Sequence, residues 1–136
     1  MNVLLRHASA GDRAAWAGDD RLRPLDERGR EQALRLVERL AATPPARIVS
    51  SPYRRCVETV EPLAAACGLP IETSAALAEG AGKAEVDALL GSAADGLVLC
   101  THGDVVELLL GRELRKGEAV LIEQTGPSTF RSAGTV

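Results

Sequence analysis

A chain of 136 residues is the length of one ordinary domain, long enough to bury most of its apolar surface without disulfide or metal staples. With 16 Lys and Arg against 19 Asp and Glu the net charge is −3, which excludes a global basic field for nucleic acid or an anionic membrane and requires any anion site to be local. Aromatic residues make up 2% of the chain, too few for a platform on which single-stranded nucleic acid could stack.

Residues 1–136 therefore read as a single domain. Cys56, Cys67 and Cys100 are odd in number, form no Cys-x-x-Cys pair and have no histidines at metal spacing, so they read as buried free thiols. No stretch approaches the roughly 20 apolar residues of a membrane span. The short apolar run after Met1-Asn2 is no signal peptide. The expectation is a cytoplasmic protein with no membrane and no nucleic-acid polymer as partner.

Val3-Leu4-Leu5 is an unbroken apolar run, the pattern of a strand covered on both faces. Residues 8–24, rich in Gly, Asp, Ala and Arg, read as a surface excursion. From Asp26 onward, Ala33, Leu34, Leu36, Val37, Leu40 and Ala41 fall at helical spacing until Pro44-Pro45 stops the run. Arg47-Ile48-Val49 is a second short strand. Ser50-Ser51-Pro52 supplies a cap and a first-turn proline for a helix to about Cys67, closed by Gly68, with Pro62 predicting a kink or break near Val60. Residues 70–73 read as a weaker strand and residues 83–94 as a third helix. Gly96-Leu97-Val98-Leu99-Cys100 is the clearest strand, ending at Thr101-His102-Gly103 before a helix from about Asp104 to Leu110. Val120-Leu121-Ile122 reads as an edge strand, and residues 126–136 are polar and weakly patterned.

Strand and helix alternate at least four times, which predicts an α/β three-layer sandwich with a mostly parallel central sheet and helices on both faces. In such sheets ligands sit beyond the carboxyl ends of the strands, where helix N-termini also gather. Arg6-His7 lies at the end of the first strand, Arg54-Arg55 in the turn after the second, and His102 at the end of the Leu97–Cys100 strand, so three separated pieces of sequence converge on one rim. A histidine alone is usually a hydrogen-bonded structural group, and an arginine ending a buried strand could pair with Asp19 or Asp20. Both histidines and two arginines at one rim, however, overcharge a structural pair and suit a dianion such as a phosphoryl group. The small residues Ala8 and Gly103 after the histidines would leave room for a ligand.

A neutral imidazole in such a pocket can attack phosphorus in line and form a covalent phosphohistidine, while the cations stabilise the equatorial oxygens. The leaving oxygen needs a proton, and Glu79, after the third strand, is the candidate acid; its other reading is an exposed loop carboxylate. Other phosphate chemistries do not fit. The residues six after the cysteines are Pro62, Thr73 and Val106, not arginine; Asp19-Asp20 follows no strand; and Gly80-Ala81-Gly82-Lys83-Ala84 lacks the first glycine and the metal-binding hydroxyl of a phosphate loop. Two histidines without clustered carboxylates argue against a built-in metal centre.

Three blocks then resemble the signatures of the histidine phosphatase superfamily: Arg6-His7-Ala8 for Arg-His-Gly, Ser51-Pro52-Tyr53-Arg54-Arg55-Cys56-Val57-Glu58-Thr59 for Ser-x-x-x-Arg-Ala-x-x-Thr, and Thr101-His102-Gly103 for Ser/Thr-His-Gly. The likeness spans nearly the whole chain. It implies a phosphoglycerate mutase-like fold, His7 as the phosphorylated nucleophile, Arg6, Arg55 and His102 as the rest of the phosphate pocket, Arg55 in preference to Arg54, Glu79 as the acid, and neither metal nor cofactor. Alanine at residue 8 departs from the usual glycine, and 136 residues leave no room for the helical lid of larger members. The chain is similar to the compact bacterial phosphohistidine phosphatases, with Arg23-Pro24-Leu25 matching their pattern. The stretch from Gly18 to Asp26 is also similar to the phosphatase-like domain behind a Nudix domain in some nucleotide-sanitising enzymes. The expectation is a metal-independent phosphatase acting on phosphohistidine in a protein through an open pocket. A small-molecule phosphomonoesterase or nucleotide phosphatase is the enzymatic alternative, mutase activity ranks below both, and a phosphate-binding module without turnover is the alternative from another class.

Overall fold

The computed structural model describes residues 1–91, 95–126 and 129–136. Among them, six strands form one sheet: β1 (Asn2–Arg6), β2 (Arg47–Ser50), β3 (Ile71–Thr73), β4 (Leu97–Thr101), β5 (Ala119–Gly126) and β6 (Thr129–Thr135), in the order β3-β2-β4-β1-β5-β6. The first four strands run parallel, and β5 and β6 are added antiparallel beyond β1. The helices are α1 (Glu27–Arg39), α2 (Arg54–Cys67), α3 (Lys83–Gly91) and α4 (Gly103–Leu110).

Successive strand residues face opposite ways, and the central strands are apolar on both faces through their middles, so each feeds two cores. Leu4, Val49, Leu97 and Leu99 pack with Val86, Leu90, Val105, Val106 and Leu109 of α3 and α4. Val3, Leu5, Ile48, Val98 and Cys100 pack instead with Leu36 of α1 and Cys56, Val60 and Leu63 of α2. This alternation produces the three layers that the sequence predicts.

Several local expectations are corrected. Ser51 and Pro52 precede α2, whose flanking residue is Tyr53 without a side-chain cap; the Ser51 hydroxyl is engaged elsewhere. Helix α2 runs unbroken through Pro62, because Val60, Leu63 and Ala64 lock that turn into the core. It ends at Gly68 with φ of 65°, as its C-cap requires. Helix α3 ends at Gly91, and residues 92–94, which the sequence pattern included, lie outside the described residues. β5 is no edge strand: it lies between β1 and β6. β6 carries no apolar signal because its residues are almost all exposed; it forms by backbone pairing with β5 and a cross-strand pair, Arg131 to Glu123 at 2.7 Å.

The excursion between β1 and α1 is tied down more tightly than its composition implies. Asp26 caps α1 by accepting from the Gly29 N–H at 2.8 Å, and it also accepts from the Ser9 hydroxyl at 2.7 Å and the Gly11 N–H at 2.9 Å. Gly29 lets the loop approach: a Cβ there would stand 1.9 Å from the Ser9 carbonyl oxygen. Alanine ordinarily stabilises a helix over glycine by about 1 kcal/mol. Here Gly29→Ala should instead destabilise the fold, by about 2 kcal/mol, measured by urea unfolding; a stability gain would contradict the packing of Ser9 on α1.

Candidate active site

The carboxyl ends of β1, β2 and β4 deliver the residues that the sequence singled out. His7 follows β1, and its N–H donates to the Thr101 carbonyl of β4 at 3.0 Å, so strand pairing itself sets the two histidines side by side. Their ring centroids are 5.4 Å apart. Arg55, in the first turn of α2, is fully buried, with Nη2 3.5 Å from His102 Nδ1. Neighbouring Arg54 is exposed and pairs with Glu58, which separates the two arginines as the block similarity did.

His7 Nδ1 lies 2.8 Å from the Ala8 carbonyl oxygen, an acceptor only, so Nδ1 carries the proton and the neutral ring keeps its lone pair on Nε2. Burial is the main force that lowers the His7 pKa from 6.5 to about 3; the Ala8 hydrogen bond opposes it, and the charges of His102, Arg55 and Arg6 add to it. His7 is thus held neutral, with its free lone pair on Nε2.

Glu79 does return to this rim. Its Oε2 accepts from Arg55 Nη2 at 2.7 Å, Arg13 Nη2 reaches Oε1 at 2.8 Å, and His102 Nδ1 is 3.8 Å away. Its loop is fixed by the Thr101 hydroxyl donating to the Leu77 carbonyl at 2.6 Å and the Gly80 N–H donating to Asp104 at 2.7 Å.

The role of the segment from Asp12 to Arg23 now becomes plain. Asp12 and Asp19 cap two single 3-10 turns that carry Arg13 to Glu79 and Asp20 to Arg55, where the Asp20 carboxylate is 3.2 Å and its carbonyl oxygen 2.9 Å from the guanidinium. Buried Arg23 holds Asp20 from behind at 2.9 Å. Partial burial pushes the Asp20 carboxyl up, but the hydrogen bond from Arg23 and the charges of Arg55, Arg23 and Arg13 outweigh it and hold it below the usual range. Among the described residues no helix is inserted over the rim, yet these side chains cover it: His7 is 6% and His102 2% exposed, so the site is more enclosed than the expected open pocket.

Arg6 pairs with neither Asp19 nor Asp20. Its Nη1 donates to the Leu114 carbonyl at 2.8 Å, and its guanidinium lies over Gly103, where a Cβ would be 3.0 Å from Arg6 Cζ. The smallness of residue 103 therefore makes room for Arg6. Among the described residues, the buried side-chain polar atoms without a partner are Arg6 Nε and Arg55 Nε, two donors belonging to the expected anion pocket.

Sequence reasoning missed the supports. The Ser51 hydroxyl meets His102 Nε2 at 2.8 Å and accepts from the Tyr53 N–H at 3.2 Å. Thr59 accepts from the Ala8 N–H at 3.0 Å and donates to the Arg55 carbonyl at 2.6 Å, fastening the loop after His7 to α2. The Tyr53 ring lies 5.0 Å below the Arg55 guanidinium and 4.7 Å from His102. Ser51 and Thr59 are the fixed hydroxyls of the second sequence block, which was the available signal; nothing in the sequence marked Tyr53. The cysteines are free, with Cys56 and Cys100 buried and Cys67 half-buried.

Residues 3–89 match the family description of the histidine phosphatase superfamily, branch 1. The chain belongs to that superfamily. Over 114 residues it is 36% identical to an 8-oxo-(d)GTP phosphatase of Mycolicibacterium smegmatis; the match covers 79% of this chain and 35% of the relative, so the chain spans about a third of the length of that curated protein. In fold it is similar to the protein histidine phosphatase SixA solved with tungstate (TM-score 0.80, 18% identity, 96% and 92% of the two chains). It is likewise similar to a putative phosphohistidine phosphatase SixA from Agrobacterium tumefaciens (TM-score 0.77, 22% identity, 99% and 96%). A mycobacterial glucosyl-3-phosphoglycerate phosphatase shares the fold (TM-score 0.74, 19% identity, 98% and 96%). Among the described residues, no helix is long and apolar enough to cross a membrane.

The state of His7 can be read directly. Histidine-selective 15N spectra should show a neutral ring protonated on Nδ1 from about pH 5 to 8, whereas a titration midpoint near 6.5 would contradict the burial argument. The sign for stability follows. The unfolded ring binds a proton near pH 6.5 and the folded ring only near 3, so the unfolded state gains protons first and stability falls as pH drops through that window. His7→Gln should flatten this part of the urea-midpoint curve.

Proposed function

We propose that this histidine phosphatase works without a metal and through a phosphohistidine at His7, and that its substrate is phosphohistidine carried by a protein. The observation that carries the reading is the tautomer of His7: with Nδ1–H given to the Ala8 carbonyl at 2.8 Å, Nε2 is left as a lone pair in a site walled by Arg55, Arg6 and His102.

Nε2 attacks phosphorus as the bond to the leaving atom breaks, and the equatorial oxygens take up the unpaired Arg6 Nε and Arg55 Nε donors. The leaving atom collects a proton, from Glu79 where it is an alkoxide oxygen. Water then attacks the phosphorus, releasing inorganic phosphate and restoring the His7 lone pair. From a phosphohistidine substrate, the phosphoryl group passes between two imidazoles. The bond formed matches the bond broken, and an imidazole leaves more readily than an alkoxide. Glu79 is then less needed as an acid, which suits a carboxylate already accepting from Arg55 and Arg13. The likeness in fold to solved phosphohistidine phosphatases supports a protein-borne substrate.

The second reading, a nucleotide phosphatase, is supported by the 36% identity to the 8-oxo-(d)GTP phosphatase. Hydrolysis of p-nitrophenyl phosphate in EDTA should be retained by the protein and fall by about a thousandfold or more in His7→Ala. Equal inactivity of the two would overturn the catalytic reading. A phosphohistidine-bearing protein should exceed a panel of nucleoside di- and triphosphates in kcat/KM; the reverse order would assign the nucleotide reading.

A further inference from the structure

A groove of about 1060 Å³ runs beside the nucleophile, between one face of α1 and the segment 112–118. Arg28, Arg35 and Arg39 line its helical wall, and Arg112, Arg115 and Lys116 line the other. Arg6 is also part of its lining. The acidic residues lining it are Glu38, Glu113 and Glu118. In a chain of net charge −3, this is a concentrated local excess of positive charge. Among the described residues, only Arg35 of the six wall cations has a carboxylate partner, Glu31 at 3.8 Å.

The groove is built onto the active site. The Gly117 N–H donates to both the Arg6 carbonyl at 3.1 Å and the His7 carbonyl at 3.0 Å, so the loop wall hangs from the backbone of the nucleophile. Gln32 bridges the walls, accepting from the Ser9 N–H at 2.9 Å and donating to the Lys116 carbonyl at 3.2 Å. Arg6 is thus shared between the groove lining and the expected phosphoryl pocket.

The lining also selects the occupant. From Arg28 to Arg39 the helical wall is about 16 Å long, enough for about five residues of extended chain. A di- or triphosphate would meet only part of it. Among the described residues the groove is lined by no aromatic ring on which a base could stack, and Leu114 is the only apolar side chain in its lining. Two facing rows of cations suit an extended acidic segment, whose carboxylates alternate to opposite sides.

We propose that this groove docks an acidic segment of the protein substrate, an inference that rests on the phosphohistidine reading above. The test is fluorescence anisotropy of a labelled oligoglutamate peptide with the full chain and with the variant Arg35→Glu/Arg115→Glu/Lys116→Glu, whose altered side chains are exposed and outside the catalytic cluster. The native chain should bind in low salt and release as salt rises, and the variant should bind about tenfold more weakly or worse. Its p-nitrophenyl phosphate turnover should stay unchanged, which shows that it folds. Its kcat/KM on a phosphohistidine protein should fall mainly through KM. No peptide binding by the native chain, or equal binding by a folded variant, would overturn the proposal. Tripolyphosphate binding that depends on the same residues, without peptide binding, would overturn it in favour of a phosphate chain. Groove-dependent peptide binding in a protein that turns over no phosphohistidine would sustain the docking site and defeat the phosphohistidine reading, so the two fail separately.

Discussion

The site is organised around one buried cation. Arg55 is fully shielded from water, its charge cannot be removed, and an unpaired guanidinium there would cost several kcal/mol. The surrounding chain meets that cost with the Glu79 and Asp20 carboxylates, the Asp20 carbonyl and the face of Tyr53. The three residues come from three different connections at the carboxyl edge of the sheet. Satisfying Arg55 therefore fixes the loop after β1, the approach to α2 and the loop after β3 in one arrangement, with His102 beside them.

The same charge shapes the chemistry. It helps to keep His7 neutral, after the larger effect of burial, and so leaves Nε2 with the lone pair that the proposed attack needs. The carboxylates that balance Arg55 in the resting protein occupy the surroundings that an incoming phosphoryl group would share. On the proposed mechanism the substrate competes with Asp20 and Glu79 for Arg55, so the network tempers anion affinity while preserving the geometry. Arg6 then joins this small pocket to the wider cationic groove.

The layers, the parallel order of the first four strands and the convergence of Arg6, His7, Arg55 and His102 were legible, because buried strands and strand-end residues leave strong local patterns. Glu79 was legible as a place on the rim but not as a partner of Arg13 and Arg55, since ion pairs across 66 and 24 residues leave no periodic trace. β6 escaped because an exposed edge strand made by backbone pairing has no apolar signature. Ser51 looked like a helix cap because capping and bonding a histidine call for the same hydroxyl. Residues 8–24 read only as a surface excursion because the tertiary pairs on which the Asp12 to Arg23 segment spends its charges leave no local pattern. Gly29 gave no warning of the Ser9 carbonyl above it, because a close backbone approach is a property of the fold alone.

The central claim is that the imidazole of His7 takes the phosphoryl group. Denaturing the protein in base during steady-state turnover of p-nitrophenyl phosphate, followed by peptide mass spectrometry, reads that claim directly. The expected result is a base-stable, acid-labile phosphoryl group on His7 that disappears as substrate is exhausted. Phosphate release at full rate with His7 unmodified, or with the group on another side chain, would contradict the account.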